Sequence, residues 1–136
     1  MKVVIDDGAY MPERAHEADA GYDLRTPIDF DIYGKMNRTI DTGVHVEIPK
    51  GYVGFLKSKS GLNVKDNITG EGVIDAGYTG SIKVKLYNDG THVKSFNRGD
   101  KIIQIVFLPI FTPELERVDS LEETERGDAG FGSTGV

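Results

Sequence analysis

Asp75 is the side chain best placed to act on a bond. It lies in Gly72-Val73-Ile74-Asp75-Ala76-Gly77-Tyr78-Thr79-Gly80, where an apolar pair followed by two glycines predicts a hairpin tip with a buried Val-Ile approach. A carboxylate on such a rigid tip can take a proton from water if it stays ionised and within hydrogen-bond reach. The alternative is an Asp that caps its own turn. Tyr78 reads equally as cross-strand packing. Upstream, Lys57-Ser58-Lys59-Ser60-Gly61-Leu62 sets two cations and two hydroxyls before a glycine, closer to a phosphate nest than to a strand interior. Solvated surface lysines are the alternative there.

The last residues, Arg126-Gly127-Asp128-Ala129-Gly130-Phe131-Gly132-Ser133-Thr134-Gly135, contain a literal GxGxxG at Gly130, Gly132 and Gly135. A dinucleotide fingerprint needs a strand before it and a helix and strand after it, and only one residue follows. What remains is a mobile, glycine-rich segment whose parts suit closure over a phosphorylated ring compound. Phe131 can stack, and Arg126, Ser133 and Thr134 can hold oxygens. Asp19, Asp23, Asp29 and Asp31 form an acidic stretch that fits no EF-hand spacing and reads as a solvated face. His16, His45 and His92 have no metal-ligand spacing and read as structural or exposed. Arg-Gly-Asp at 98–100 and 126–128 reads as turn chemistry.

The elements that must carry these groups are short strands. Seventeen glycines and five prolines punctuate brief apolar stretches, the pattern of an all-β domain. Ser81–Tyr87 alternates, with Ile82, Val84 and Leu86 on one face. Val44–Ile48 alternates in the same way and stops at Pro49-Lys50-Gly51. Lys101–Leu108 is nearly continuous in apolar residues apart from Gln104, as a strand buried on both faces would be. Glu114–Glu125 offers at most a turn or two of helix. Two sheets closing on each other as a jelly roll or barrel best accommodate so many strands in one small domain.

A chain of 136 residues suits a single domain. The absence of cysteine excludes disulfide frameworks and thiolate metal sites. No stretch reads as a signal peptide or a membrane span, so a cytoplasmic protein without membrane partners is expected. A formal charge of −6 argues against coating nucleic acid. A single anionic ligand remains feasible with local cations and a divalent metal.

Taken in order, the signals resemble the five motifs of the trimeric dUTPase family across nearly the whole chain. Ala20-Gly21-Tyr22-Asp23-Leu24 is similar to the first and Lys59-Ser60-Gly61-Leu62 to the second. The segment from Gly72 to Gly80 resembles the third, Arg98-Gly99-Asp100-Lys101-Ile102-Ile103-Gln104 the fourth and the glycine-rich tail the fifth. The resemblance implies a jelly-roll-like β-barrel domain at 1–125 and a flexible arm at 126–136 closing over an active site. It also implies a homotrimer whose sites are shared between subunits.

The activity implied is Mg²⁺-assisted hydrolysis of dUTP to dUMP and pyrophosphate, with Asp75 activating the water that attacks the α-phosphorus in line. Tyr78 would pack under the deoxyribose, and the backbone from Thr69 through Gly72, Val73 and Ile74 would read uracil. Lys59, Ser60, Gly61, Lys83, Gln104, Arg126, Gly132, Ser133 and Thr134 would complete the substrate site, with Phe131 stacked on the base. Mg²⁺ would be held by the triphosphate, with Asp23 at most reaching its water shell. Lys59 and Lys101 stand where the family usually has Arg, which loses the bidentate fork. Ala129 replaces a common glycine. Rival readings are a dCTP deaminase of the same fold, for which Glu71 is the available acid, and a nucleotide-gated module with a regulatory protein partner.

Overall fold

The computed structural model describes residues 1–132 and 135. In chain order the elements are β1 (Val3–Ile5), β2 (Gly21–Arg25), β3 (Phe30–Ile32), β4 (Asn37–Asp41), β5 (Val44–Val46) and β6 (Tyr52–Lys57). The helix α1 (Ser60–Asp66) follows, then β7 (Ile68–Thr69), β8 (Glu71–Ile74), β9 (Lys83–Asn88), β10 (Lys94–Phe96) and β11 (Lys101–Pro109). A four-stranded sheet has the order β2-β11-β6-β8 and a three-stranded sheet the order β4-β9-β7, with pairs β1–β5 and β10–β3 completing the body. Every pairing is antiparallel. This is the expected jelly-roll-like all-β architecture.

The two larger sheets turn their apolar faces towards each other. Leu24, Leu56, Ile103 and Ile105 come from one, and Ile40, Ile68, Val84 and Leu86 from the other, all within a single core. Gly70 lies where the sheets meet. A Cβ there would come within 2.9 Å of Leu86 Cδ2 and 3.0 Å of Ile103 Cδ1, so the contact has no room for a side chain. In β9 the alternation of Val84 and Leu86 inward with Lys83, Lys85 and Tyr87 outward follows the two-residue period of a strand.

Four expectations change in detail. Buried isoleucines at both 102 and 103 come from a register shift between Lys101 and Ile103; a bulge inserts one residue and reverses the side-chain phase. The far end of β11 is exposed at Leu108, so that strand is covered on both faces only in part. Lys59-Ser60-Gly61-Leu62 opens α1, whose C-cap Asn67 is left-handed (φ 56°). Finally, Glu114–Glu125 forms no helix, because it has too few apolar anchors to offset the cost of ordering a short helix. Ile110 N–H still donates to Gly51 C=O at 2.9 Å; from Phe111 the described chain has no strand or helix and is exposed apart from a half-buried Gly130.

Candidate active site

Ladder register sets the site. Asp23, Gln104, Lys57 and Glu71 lie opposite one another on β2, β11, β6 and β8, so they form one polar rung on the face turned away from the core. The next rung, Gly21, Val106, Phe55 and Val73, is mostly apolar, and Val73 is 58% exposed. The hairpin reading needs correcting here. Of the Val-Ile pair only Ile74 is buried, because alternation turns Val73 outward. β8 and β9 also join different sheets, so Asp75 sits in a crossover between layers rather than at the tip of a paired hairpin.

At one end of the polar rung Asp23 is 6% exposed. It accepts from Lys101 Nζ at 2.8 Å and from Lys59 Nζ. Burial by itself would raise the Asp23 pKa, but the bonds from Lys101 and Lys59 outweigh it and hold the carboxyl below its ordinary value. The expected solvated acid is therefore the buried anchor of two lysines. Gln104 Nε2 donates to the Ser58 carbonyl at 3.2 Å. Gly21 gives Gln104 its room: a Cβ there would stand 2.2 Å from Gln104 Oε1. Ser58 Oγ accepts from Gly70 N–H at 2.9 Å and donates to Gly70 C=O at 3.1 Å. That pair ties the lysine segment to the start of β8, so one of the two hydroxyls that read as part of a phosphate nest is occupied with backbone. Ser60 and Gly61 are exposed at the start of α1.

At the other end, Asp75 lies in an exposed turn closed by Tyr78 N–H to Asp75 C=O at 3.2 Å. Tyr78 Oη donates to Ser81 C=O at 2.9 Å, which fixes the ring. Gly72 packs on Leu56, 2.9 Å from a built Cβ. β8 is an edge strand, so among the described residues its outer edge has no strand partner and can read a ligand edge. Thr69 ends β7 and Lys83 begins β9, opposite Asp41. Asp75 lies four positions beyond Glu71, just past the end of β8, about 13 Å along an extended chain. A single chain therefore gathers Asp23, Lys59, Lys101 and Gln104 in one group and Asp75 with Tyr78 in another, without uniting them. Among the described residues Arg126 bonds only locally, Nε to Ala129 C=O at 2.8 Å, and Phe131 and Gly132 are exposed. Ser133 and Thr134 lie outside the described residues.

The dUTPase family model matches residues 7–135. The chain belongs to the dUTPase family. That makes it an enzyme, a hydrolase of nucleotide metabolism. It is 43% identical over 128 residues to the monkeypox virus deoxyuridine 5'-triphosphate nucleotidohydrolase, covering 94% of this chain and 85% of that one. With the Tropheryma whipplei protein of the same name it is 38% identical over 136 residues, 97% and 93% of the two chains. The dUTPase of Staphylococcus bacteriophage 80alpha, solved with dUPNHPP, superposes with a TM-score of 0.93 at 34% identity, over 99% of this chain and 98% of that one. A variant dUTPase of phage phi11 superposes with a TM-score of 0.82 at 33% identity, over 90% and 98%. Its structure is described as revealing coordination of a structural Mg(II) ion. Among the described residues of this dUTPase no group of three acidic, histidine or cysteine side chains could hold a metal, and no helix is long and apolar enough to cross a membrane.

Proposed function

We propose that this chain hydrolyses dUTP to dUMP and pyrophosphate in the cytoplasm, as a homotrimer whose active sites are shared between subunits. The observation that carries the shared site is the separation of the two groups along the β8 direction. Lys59, Ser60, Gln104 and the Asp23 anchor have the chemistry for phosphate oxygens, whereas Asp75, Tyr78 and the free edge of β8 have the chemistry for a nucleoside and a water. A neighbouring copy can bring its Asp75 turn against the polar rung of the first. The exposed apolar rung at Val73 is then covered rather than left in solvent.

In this arrangement Asp75 accepts the proton of the attacking water and directs it in line at the α-phosphorus. Tyr78, locked by Ser81, packs against the deoxyribose where a 2′-hydroxyl has no space. The outer groups of β8 pair with uracil, and a wrong base leaves them unpaired at about 1–3 kcal/mol each. Lys59, Ser60 and Gln104 hold phosphate oxygens. The arm from 126 to 136 supplies Arg126 and Phe131, and by closing it excludes water.

The residues fit a magnesium ion that arrives on the triphosphate rather than one resident in a protein cage. Both Asp23 oxygens are engaged by lysines, so Asp23 would at most meet the water shell of such an ion. Such an ion would supply charge neutralisation and restraint of the phosphates. Glu71, the acid that a deaminase reading requires, is exposed and paired with Lys57 at 3.2 Å, which favours the hydrolase reading. The deciding experiment is pyrophosphate release with Mg²⁺ from dUTP, UTP, dCTP and dTTP, for the natural chain and Asp75→Asn. Selective turnover of dUTP that falls by about 100-fold or more in the variant supports the reading, and equal turnover by both proteins refutes the role of Asp75.

A further inference from the structure

The turn that carries Asp75 and Tyr78 is exposed, yet its geometry must be held if those side chains are to meet a substrate on another subunit. Among the described residues, one hydrogen bond links residues 75–80 to a different element: His45 Nδ1 to the Thr79 carbonyl, 2.8 Å. The other end of the same ring, Nε2, faces the Asp6 carboxylate at 3.2 and 3.3 Å. His45 sits on β5 opposite Val4, and Asp6 follows directly after β1, with its N–H bonded to Gly43 C=O at 2.9 Å. Two elements outside the sequence motifs therefore converge, through one imidazole, on the backbone next to Tyr78.

We infer that His45 is a positioning residue: its ring joins Thr79 C=O to Asp6 and so clamps the turn that presents Asp75 and Tyr78. The inference rests on the catalytic reading of that turn. Both ring nitrogens face acceptors, so only the imidazolium donates to both at once. The neutral ring can keep the Thr79 bond but then turns a lone pair towards Asp6. The charged groups around the ring are Asp6, Asp41 on β4, and Lys2 with Glu47, which lie along the same shallow depression and pair at 2.9 Å. Lys83 stands opposite Asp41 in register, and Asp41 also accepts from Ser81 Oγ just beyond the turn.

The bond to Thr79, then Asp6, and the nearby charges of Asp6 and Asp41 raise the His45 pKa above 6.5. A raised value means that the clamp is complete below 6.5 and weakens as pH rises through the higher folded value. This gives the turn a pH dependence independent of any titration of Asp75 itself.

The test compares His45→Val, His45→Asn and Asp6→Asn with the natural chain. Each is assayed for kcat and KM on dUTP and UTP from pH 5.5 to 9, and each is titrated by NMR at the Tyr78 and Gly80 amides. Asn carries a donor where Nδ1 lies and does not titrate. His45→Val should lower kcat about tenfold, within the roughly 100-fold that a 1 Å misplacement can cost, and should narrow the dUTP-to-UTP preference. Its melting temperature serves as the folding control. His45→Asn should recover most of that loss and flatten the alkaline limb of the profile. In the natural chain the Gly80 amide should titrate with the His45 ring, at a lower pH in Asp6→Asn. The inference is overturned if His45→Val keeps natural kcat and selectivity, if Asn recovers nothing over Val, or if Gly80 ignores the titration of His45. Should Asp75→Asn retain full turnover, the catalytic reading fails, while the amide titration still decides the clamp because it needs no turnover.

Discussion

The Asp23 carboxylate lies 2.8 Å from Lys101 Nζ and, through its other oxygen, holds Lys59 as well, so one buried acid organises both lysines at the end of the site proposed to hold the phosphates. Asp23→Asn leaves two cations facing a neutral amide. Breaking a fully buried ion pair costs about 3–5 kcal/mol. Here Lys59 and Lys101 keep 28% and 32% of their side-chain exposure, so a loss of about 2 kcal/mol is expected by urea unfolding at neutral pH. Because the folded pKa of Asp23 is lowered, this advantage is present above 3.8 and declines as pH falls from there through the folded value. An advantage over Asp23→Asn that instead vanished between pH 7 and 5 would contradict the arrangement.

Gly21→Ala tests the seat of Gln104. The added Cβ meets the Gln104 amide oxygen at 2.2 Å, and the flexible end of that side chain must swing away from the Ser58 carbonyl. Overpacking of this kind costs about 1–3 kcal/mol in a closed core, and less beside a movable amide. The body should therefore stay folded while KM for dUTP rises severalfold and kcat changes little. Steady-state kinetics beside a thermal melt distinguishes this from general damage.

Much of this arrangement was readable in the residues. The alternation in Val84 and Leu86 and the apolar run at Ile102–Val106 identify core strands because strand periodicity depends on local sequence alone. The burial of Asp23 was not readable, since its lysine partners lie 36 and 78 positions away in the chain and are brought close only by ladder register. The helix at Ser60–Asp66 was missed because it has no buried residue and no side-chain N-cap bond. His45 read as structural or exposed because neither Asp6 nor Thr79 is its sequence neighbour.

If the site is shared, a variant without turnover should be complemented by one with weakened phosphate binding, read at dUTP well below the natural KM. Asp75→Asn and Gln104→Ala affect groups on opposite ends of the sheet, so a mixed trimer rebuilds intact sites where an unaltered Asp75 from one copy meets an unaltered Gln104 from the next. Random assembly from equal amounts gives about a quarter of sites intact in a closed ring. Co-refolded mixtures should recover roughly that share of natural turnover, and no recovery would place both groups in a single-chain site.

Deleting residues 126–136 separates the catalytic contribution proposed for the arm from any contribution to the fold. The described part bonds within itself, Gly127 N–H to Thr124 C=O at 3.1 Å and Ala129 N–H to Arg126 C=O at 3.0 Å, and Phe131 is fully exposed at a left-handed φ of 47°. Nothing in these contacts supports the body, so melting should shift by no more than a degree or two, as expected for surface changes within about 0.5 kcal/mol. Turnover should fall steeply, because the loss removes Arg126, the stacking ring and the exclusion of water together. Phe131→Ala isolates the ring. Base stacking on an aromatic side chain is worth about 1–3 kcal/mol, so KM should rise by about 5- to 150-fold with the rest of the arm present. An unchanged KM would mean that Phe131 is not the residue that covers the base.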